Sequence, residues 1–218
     1  MKALTLFACM IIFSVGFSQK ETNQTDEKSQ KILDQLSKDI KALTSFKLDF
    51  SIHIKNATTG EDSNEKGSGT VKGDKFTATL GQNQIISNGI KIWTVVKEEK
   101  VVYESEADDE DEESINPKKI MTIWETGFKN KYAGEETING KKVHVINLYP
   151  TNPGEVQYHT VILYVDQTSN ELQKAIMKTK DGTTMTYTIN TFTKNTPVTD
   201  DQFVYDPRKF VGFQLIRD

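Results

Sequence analysis

Apolar residues recur along this chain with two different periods. Between Asp26 and Leu43 the apolar positions Ile32, Leu33, Leu36, Ile40 and Leu43 return at helical spacing, with lysines, aspartates and glutamines between them. This predicts one amphipathic helix with a single apolar stripe, preceded by a polar lead-in over Glu21 to Glu27. After Ser45 the period drops to two. Phe46, Leu48, Phe50, Ile52 and Ile54 fall on one side of an extended chain, and Lys47, Asp49, Ser51, His53 and Lys55 on the other.

From there the pattern is one of short strands separated by turn residues. They are expected near Gly67–Lys72, Lys75–Leu80, Gln84–Ser87, Lys91–Val96, Val101–Glu104 and Gly127–Glu136, and again near Lys142–Leu148, Thr160–Asp166, Leu172–Thr179, Thr183–Phe192, Phe203–Tyr205 and Phe210–Ile216. Gly73-Asp74, Asn88-Gly89, Asn139-Gly140 and Asp181-Gly182 favour tight hairpins, so an antiparallel meander is expected. One interruption stands out. Asn116-Pro117 opens a short helical segment carrying Ile120, Met121, Ile123 and Trp124.

The N-terminus has a separate character. Met1-Lys2 precedes an apolar run from Ala3 to Phe17, with Gly16 and Ser18 placed for a cut before Gln19. Residues 1–18 therefore read as a secretory signal peptide, and 19–218 as a single domain in an extracytoplasmic compartment. A membrane anchor is the alternative reading of that segment. A lipoprotein box over Leu6-Phe7-Ala8-Cys9 would leave too short an apolar core ahead of the cysteine. Cys9 is the one cysteine, so the domain after the leader has no disulfide and depends on buried apolar surface. Asn23-Gln24-Thr25 and Asn56-Ala57-Thr58 are formal glycosylation sequons, relevant only in a eukaryotic source.

Charge matters in one place. Glu104 to Ser114 reads ESEADDEDEES, eight carboxylates in eleven residues, in a chain of net charge −4. Outside that run the protein is mildly basic, with no patch of the density that nucleic acid requires. The run lacks the glycine and the alternate ligand spacing of a calcium loop, and repulsion between its carboxylates favours a hydrated, extended connector into the short helix. His53, His144 and His159 share no metal-ligand spacing. No G-x-S-x-G elbow, phosphate-binding glycine loop or paired-carboxylate motif stands out, so an enzyme is not expected. No cofactor is expected either. What the chain does carry is a payload of large apolar side chains on strands and helices, with Met121, Met177 and Met185 as adaptable fillers.

The order of these elements is more specific than any of them alone. Leu43-Thr44-Ser45-Phe46 with Phe50, Gly69-Thr70-Val71-Lys72, and Ser87-Asn88-Gly89-Ile90-Lys91-Ile92-Trp93 are followed by Leu148-Tyr149-Pro150, Ile162-Leu163-Tyr164-Val165-Asp166 and a closing Phe203-Val204-Tyr205 with Gly212. Together they resemble the periplasmic outer-membrane lipoprotein carrier (LolA-like) family. The resemblance implies a mainly β (α+β) fold: a half-open antiparallel β-barrel with short helices forming a lid over an apolar cavity. It further implies a periplasmic monomer that takes acylated lipoproteins or other acyl lipids from an inner-membrane lipoprotein-releasing transporter to an outer-membrane acceptor. The expected cavity and lid residues are Phe50, Ile52, Ile54, Phe76, Trp93, Ile120, Met121, Trp124, Phe128, Met185 and Tyr187. One departure is visible. The basic residue and proline that often follow the Val-Lys of the second hairpin strand are replaced by Gly73-Asp74-Lys75-Phe76, so the arginine that helps hold the family's lid is missing. Competing readings are a lipid-sensing protein on the same fold, a secreted β-sandwich adhesion module with a filled core, and an extracytoplasmic hydrolase.

Overall fold

The computed structural model describes residues 26–107, 117 and 121–217. The proposed leader, Ile120 and most of the acidic run lie outside the described residues. One helix, α1 (Glu27–Lys41), precedes twelve strands: β1 (Phe46–Asn56), β2 (Glu61–Lys72), β3 (Lys75–Leu80), β4 (Asn83–Ser87), β5 (Lys91–Val96), β6 (Val101–Glu106), β7 (Phe128–Ile138), β8 (Lys141–Pro150), β9 (Tyr158–Asp166), β10 (Leu172–Thr179), β11 (Thr183–Lys194) and β12 (Gln214–Arg217). They form a single sheet in the order β12-β6-β5-β4-β3-β2-β1-β11-β10-β9-β8-β7, which does not close.

Neighbours pair as consecutive hairpins, as the turn residues predict. Asn139 and Gly140 both take positive φ (50° and 77°), the geometry of the tight turn that Asn-Gly supplies between β7 and β8. Long-range closure comes from β1, which pairs with β2 on one side and β11 on the other. The outermost pair, β12 with β6, runs parallel, a departure from the expected all-antiparallel meander. That pairing follows two 3₁₀ turns, Asp200–Phe203 and Pro207–Lys209, that separate β11 from β12.

The sheet curls around α1. Leu33, Leu36 and Ile40 from the helix share one core with Phe46, Leu48 and Phe50 of β1, Phe76 of β3, Ile92 of β5, and Ile146 and Leu148 of β8. Strands far apart in sheet order thus meet across the helix. Irregularities support the curl: register shifts occur between Tyr132 and Gly134 in β7 and between Asp49 and Phe50 on β1 against β11, and such bulges sharpen twist. Two glycines on β2 let the inner layers approach closely. A Cβ on Gly67 would lie 2.3 Å from Cζ of Phe50, and one on Gly69 would lie 2.7 Å from Cγ of Pro117. The Phe50 ring therefore lies across bare backbone, and so does the start of the short segment leading to Trp124.

Four sequence expectations need correction. β2 starts at Glu61, well before Gly67, although Glu61–Lys66 shows no apolar alternation. Pairing of every residue with β1 imposes strand there where propensity does not. Phe203–Tyr205 is not a strand. A 3₁₀ turn over Asp200–Phe203 stands in its place, with Phe203 fully buried and Asp200 held by Lys72 and Lys75, both at 2.7 Å. The strand expected near Phe210–Ile216 is confined to Gln214–Arg217. Of the expected short helix, Pro117 is helical and its carbonyl accepts from Met121 N at 3.2 Å, and a 3₁₀ turn follows over Ile123–Glu125.

Candidate functional site

The inner face of the sheet has two ends, and they differ. At one end α1 is docked and fastened. Its N-cap Asp26 accepts from Ser29 N at 2.9 Å, and the buried Ser29 Oγ donates to Asn130 Oδ1 on β7 at 2.5 Å. Asn130 Nδ2 donates in turn to Gln30 Oε1 at 2.7 Å. Further along the helix, Trp124 Nε1 donates to Ser37 Oγ at 2.8 Å, and Lys41 pairs with Glu125 at 2.8 Å. Near the helix end, Asn170 Nδ2 donates to Asp39 Oδ2 at 3.0 Å. The helix and the 121–125 segment are thus tied to each other and to the rim, with polar groups at the edge and apolar ones beneath.

Under this cover the described side chains are closely packed. Phe50, Ile52, Phe76, Met121 and Trp124 are each at most 7% exposed. A small cavity bordered by Leu36, Ile40, Leu43, Met121, Leu172 and Phe192 has about 10 Å³, room for no more than one water. In this closed arrangement the protein's own leucines complete the hollow.

The other end is different. Beyond α1 lie Ile54 of β1, Ala175 and Met177 of β10, and Met185, Tyr187 and Ile189 of β11, all only partly buried, and all but Met185 packed against the central core. Cross-strand register sets them side by side: Ile54 faces Met185, Ile52 faces Tyr187, Tyr187 faces Ala175, and Met185 faces Met177. Phe128 and Tyr158, stacked with centroids 5.9 Å apart, also pack half-buried against that core. This is a strip of large, adaptable side chains with no helix over it among the described residues. Burial raises the Tyr187 phenol above its ordinary range, so its hydroxyl stays protonated through neutral pH.

The expected site residues therefore divide. Ile54, Phe128, Met185 and Tyr187 belong to the uncovered end or its border. Phe50, Ile52, Phe76, Met121 and Trp124 are packed beneath or beside the cover. Trp93 is not in the hollow at all. The residue before it, Ile92, points into the central core, whereas Trp93 joins Ile86, Val95 and Val102 on the outer face, beneath Tyr205 and Phe210 of the C-terminal segment. Its ring stacks on Tyr205 at 5.9 Å, and its Nε1 donates to Glu104 Oε2 at 2.9 Å. Hydrogen bonds from Lys91 and then Trp93 hold the Glu104 carboxyl below the usual carboxylate range, so the first acid of the acidic run is a structural anchor. Lys72 and Lys75, which flank the position of the missing arginine, both hold Asp200 on the Asp200–Phe203 turn at 2.7 Å.

Ala175 and Ile189 were not singled out from the sequence. Strand β10 alternates apolar residues on both faces, with Ile176 in a small outer cluster and Met177 inside, and only the register separates them. The polar fasteners Ser29, Ser37 and Asn130 carry no signal that distinguishes them from surface residues. Among the described residues no cluster of three or more potential metal ligands occurs. None of their helices is long and apolar enough to cross a membrane.

A family described as "-like: Uncharacterized protein" matches residues 118–198, less than half of the chain. No curated protein matches the sequence. Among solved structures, an uncharacterized conserved protein from Thermus thermophilus superposes with a TM-score of 0.60 at 11% identity, covering 88% of this chain and 100% of that one. LprF from Mycobacterium bovis gives a TM-score of 0.51 at 14% identity, over 81% of this chain and 97% of that one. A LolA superfamily protein from Nitrosomonas europaea aligns more loosely, with a TM-score of 0.44 at 14% identity over 81% and 97% of the two chains. The open antiparallel sheet that the sequence resemblance implied is the one observed. The chain shares its fold with the Thermus thermophilus protein and with LprF. Within this sheet, the inner face is the surface that combines large apolar side chains, a docked helix and an end with no described helix over it.

Proposed function

We propose that the protein is an extracytoplasmic carrier of acyl chains, most simply those of lipoproteins moving between the inner and outer membranes. The observation that carries this reading is the partly buried strip of Ile54, Met177, Met185, Tyr187 and Ile189, with no helix over it among the described residues, at the end of a tightly packed apolar face. A hydrocarbon tail gains about 0.8 kcal/mol for each CH₂ it buries, so such a strip needs no ionic partner to hold a lipid. Methionines suit a guest of variable shape, because their side chains repack at little cost.

The sealed end supplies the second half of the mechanism. A tail longer than the strip must displace Leu33, Leu36 and Ile40; the bonds at Ser37, Asp39 and Lys41 are rim bonds that water can replace, while the buried Ser29–Asn130 bond holds the N-terminal end of α1. Loading then exchanges one apolar plug for another. Release is the reverse exchange, in which α1 returns and expels the guest. A sensing role on the same fold would use the same pocket with a different partner. Purified protein, extracted with organic solvent and analysed by mass spectrometry, should yield acyl lipid. In addition, a fluorescent fatty-acyl probe should bind with saturation and be displaced by lipoprotein acyl chains. Protein that is lipid-free and indifferent to the probe would contradict the carrier reading.

A further inference from the structure

The uncovered strip contains a polar atom whose needs the protein meets only weakly. Tyr187 lies between Ile52 of β1 and Ala175 of β10. Its hydroxyl has one partner among the described residues, Sδ of Met185, at 3.4 Å. A thioether is a weak acceptor, so a partly buried O–H is left with little compensation. Burial keeps the phenol neutral, which makes it a donor throughout the physiological range. Ile54, Ala175, Met177 and Ile189 around it offer no oxygen or nitrogen on their side chains.

A purely aliphatic guest would leave this hydroxyl as it is, or bury it further at a cost. A guest with a carbonyl oxygen at the head of its acyl chain would supply the missing acceptor. The orientation suits such a guest, because the hydroxyl leans from Tyr187 toward Met185 and thus away from the end that α1 covers.

We propose that Tyr187 is a specificity-determining residue that donates a hydrogen bond to the ester carbonyl of a bound acyl lipid, so that the site selects diacyl lipids over their ether or alkane counterparts. This deepens the carrier reading and rests on it. The carbonyl is held at the mouth, and the tails lie along Ile54, Met177 and Met185.

The test compares two short-chain phosphatidylcholines of matched chain length, one diester and one diether, bound to the native protein and to Tyr187→Phe. The phenylalanine variant keeps the ring and its packing, and its unfolding midpoint should match the native one. The native protein should favour the diester by roughly five- to tenfold, the value of one net hydrogen bond. The variant should bind both lipids about equally, at the native protein's diether affinity. Equal native binding of ester and ether would overturn the hydroxyl's role while leaving the carrier reading intact. A preference that survives in Tyr187→Phe would do the same. Failure of the native protein to bind either lipid would remove both.

Discussion

The two ends of the inner face are built from the same residue types by the same strands, yet one is a finished core and the other is not. Where α1 docks, its own Leu33 and Leu36 and the facing Leu48 of β1 are at most 2% exposed. On the same strands, past the end of the helix, Ile54, Met185 and Tyr187 remain partly in water. A sheet that needed only stability would have extended its cover. The contrast teaches that the helix is a plug of limited reach, and that stability and binding belong to different stretches of one surface.

Substitutions should separate the two. Leu36→Ala removes a fully packed side chain and should cost about 2–5 kcal/mol of stability in denaturant unfolding. Met185→Ala should cost about 1 kcal/mol or less, yet weaken acyl-probe binding several-fold. Comparable stability losses at the two sites would break the distinction. Next in size is Gly67→Ala. Its new methyl would meet the Phe50 ring at 2.3 Å, so the ring must move, at about 1–3 kcal/mol, read as a lowered Tm.

Trp124→Phe keeps most of the ring but loses the bond to Ser37, for about 1 kcal/mol. The expected signature is faster amide exchange in α1 and faster probe entry, with the outer aromatic stack unaffected. The smallest effect concerns Asp200, whose carboxyl is lowered to about 2 by hydrogen bonds from Lys72 and then Lys75. A depressed carboxylate contributes stability above its unfolded value near 3.8, and that contribution is lost as pH falls toward 2. Asp200→Asn should therefore flatten the stability profile across that window only, and leave acyl binding at neutral pH unchanged.

Much of the architecture was legible because periodicity reports which side of an element is buried. The single stripe on α1 and the strict alternation through β1 placed Phe46 to Ile54 on the inner face correctly. Trp93 shows where this fails. Ile92, Trp93 and Val95 are all buried, because the C-terminal aromatics cover the outer face there, and a strand buried on both sides has no polar face to orient it. The filling of the hollow was equally invisible. Whether Phe50 meets a guest or Leu36 is decided by tertiary placement of the helix, and the composition of the strand is the same in either case. Gly67 and Gly69 could be seen as a pattern, but that they seat Phe50 and Pro117 emerges only from the packing.

The claim on which the account turns is that guest tails enter at the uncovered end of the inner face. Photo-crosslinking with a diazirine-bearing fatty-acyl probe, followed by peptide mapping, reads that location directly. Adducts should fall on Ile54, Met177, Met185 and Tyr187, and spread toward Leu36 only with longer chains. Adducts confined to the outer face around Trp93, Tyr205 and Phe210, or scattered without saturation, would contradict it.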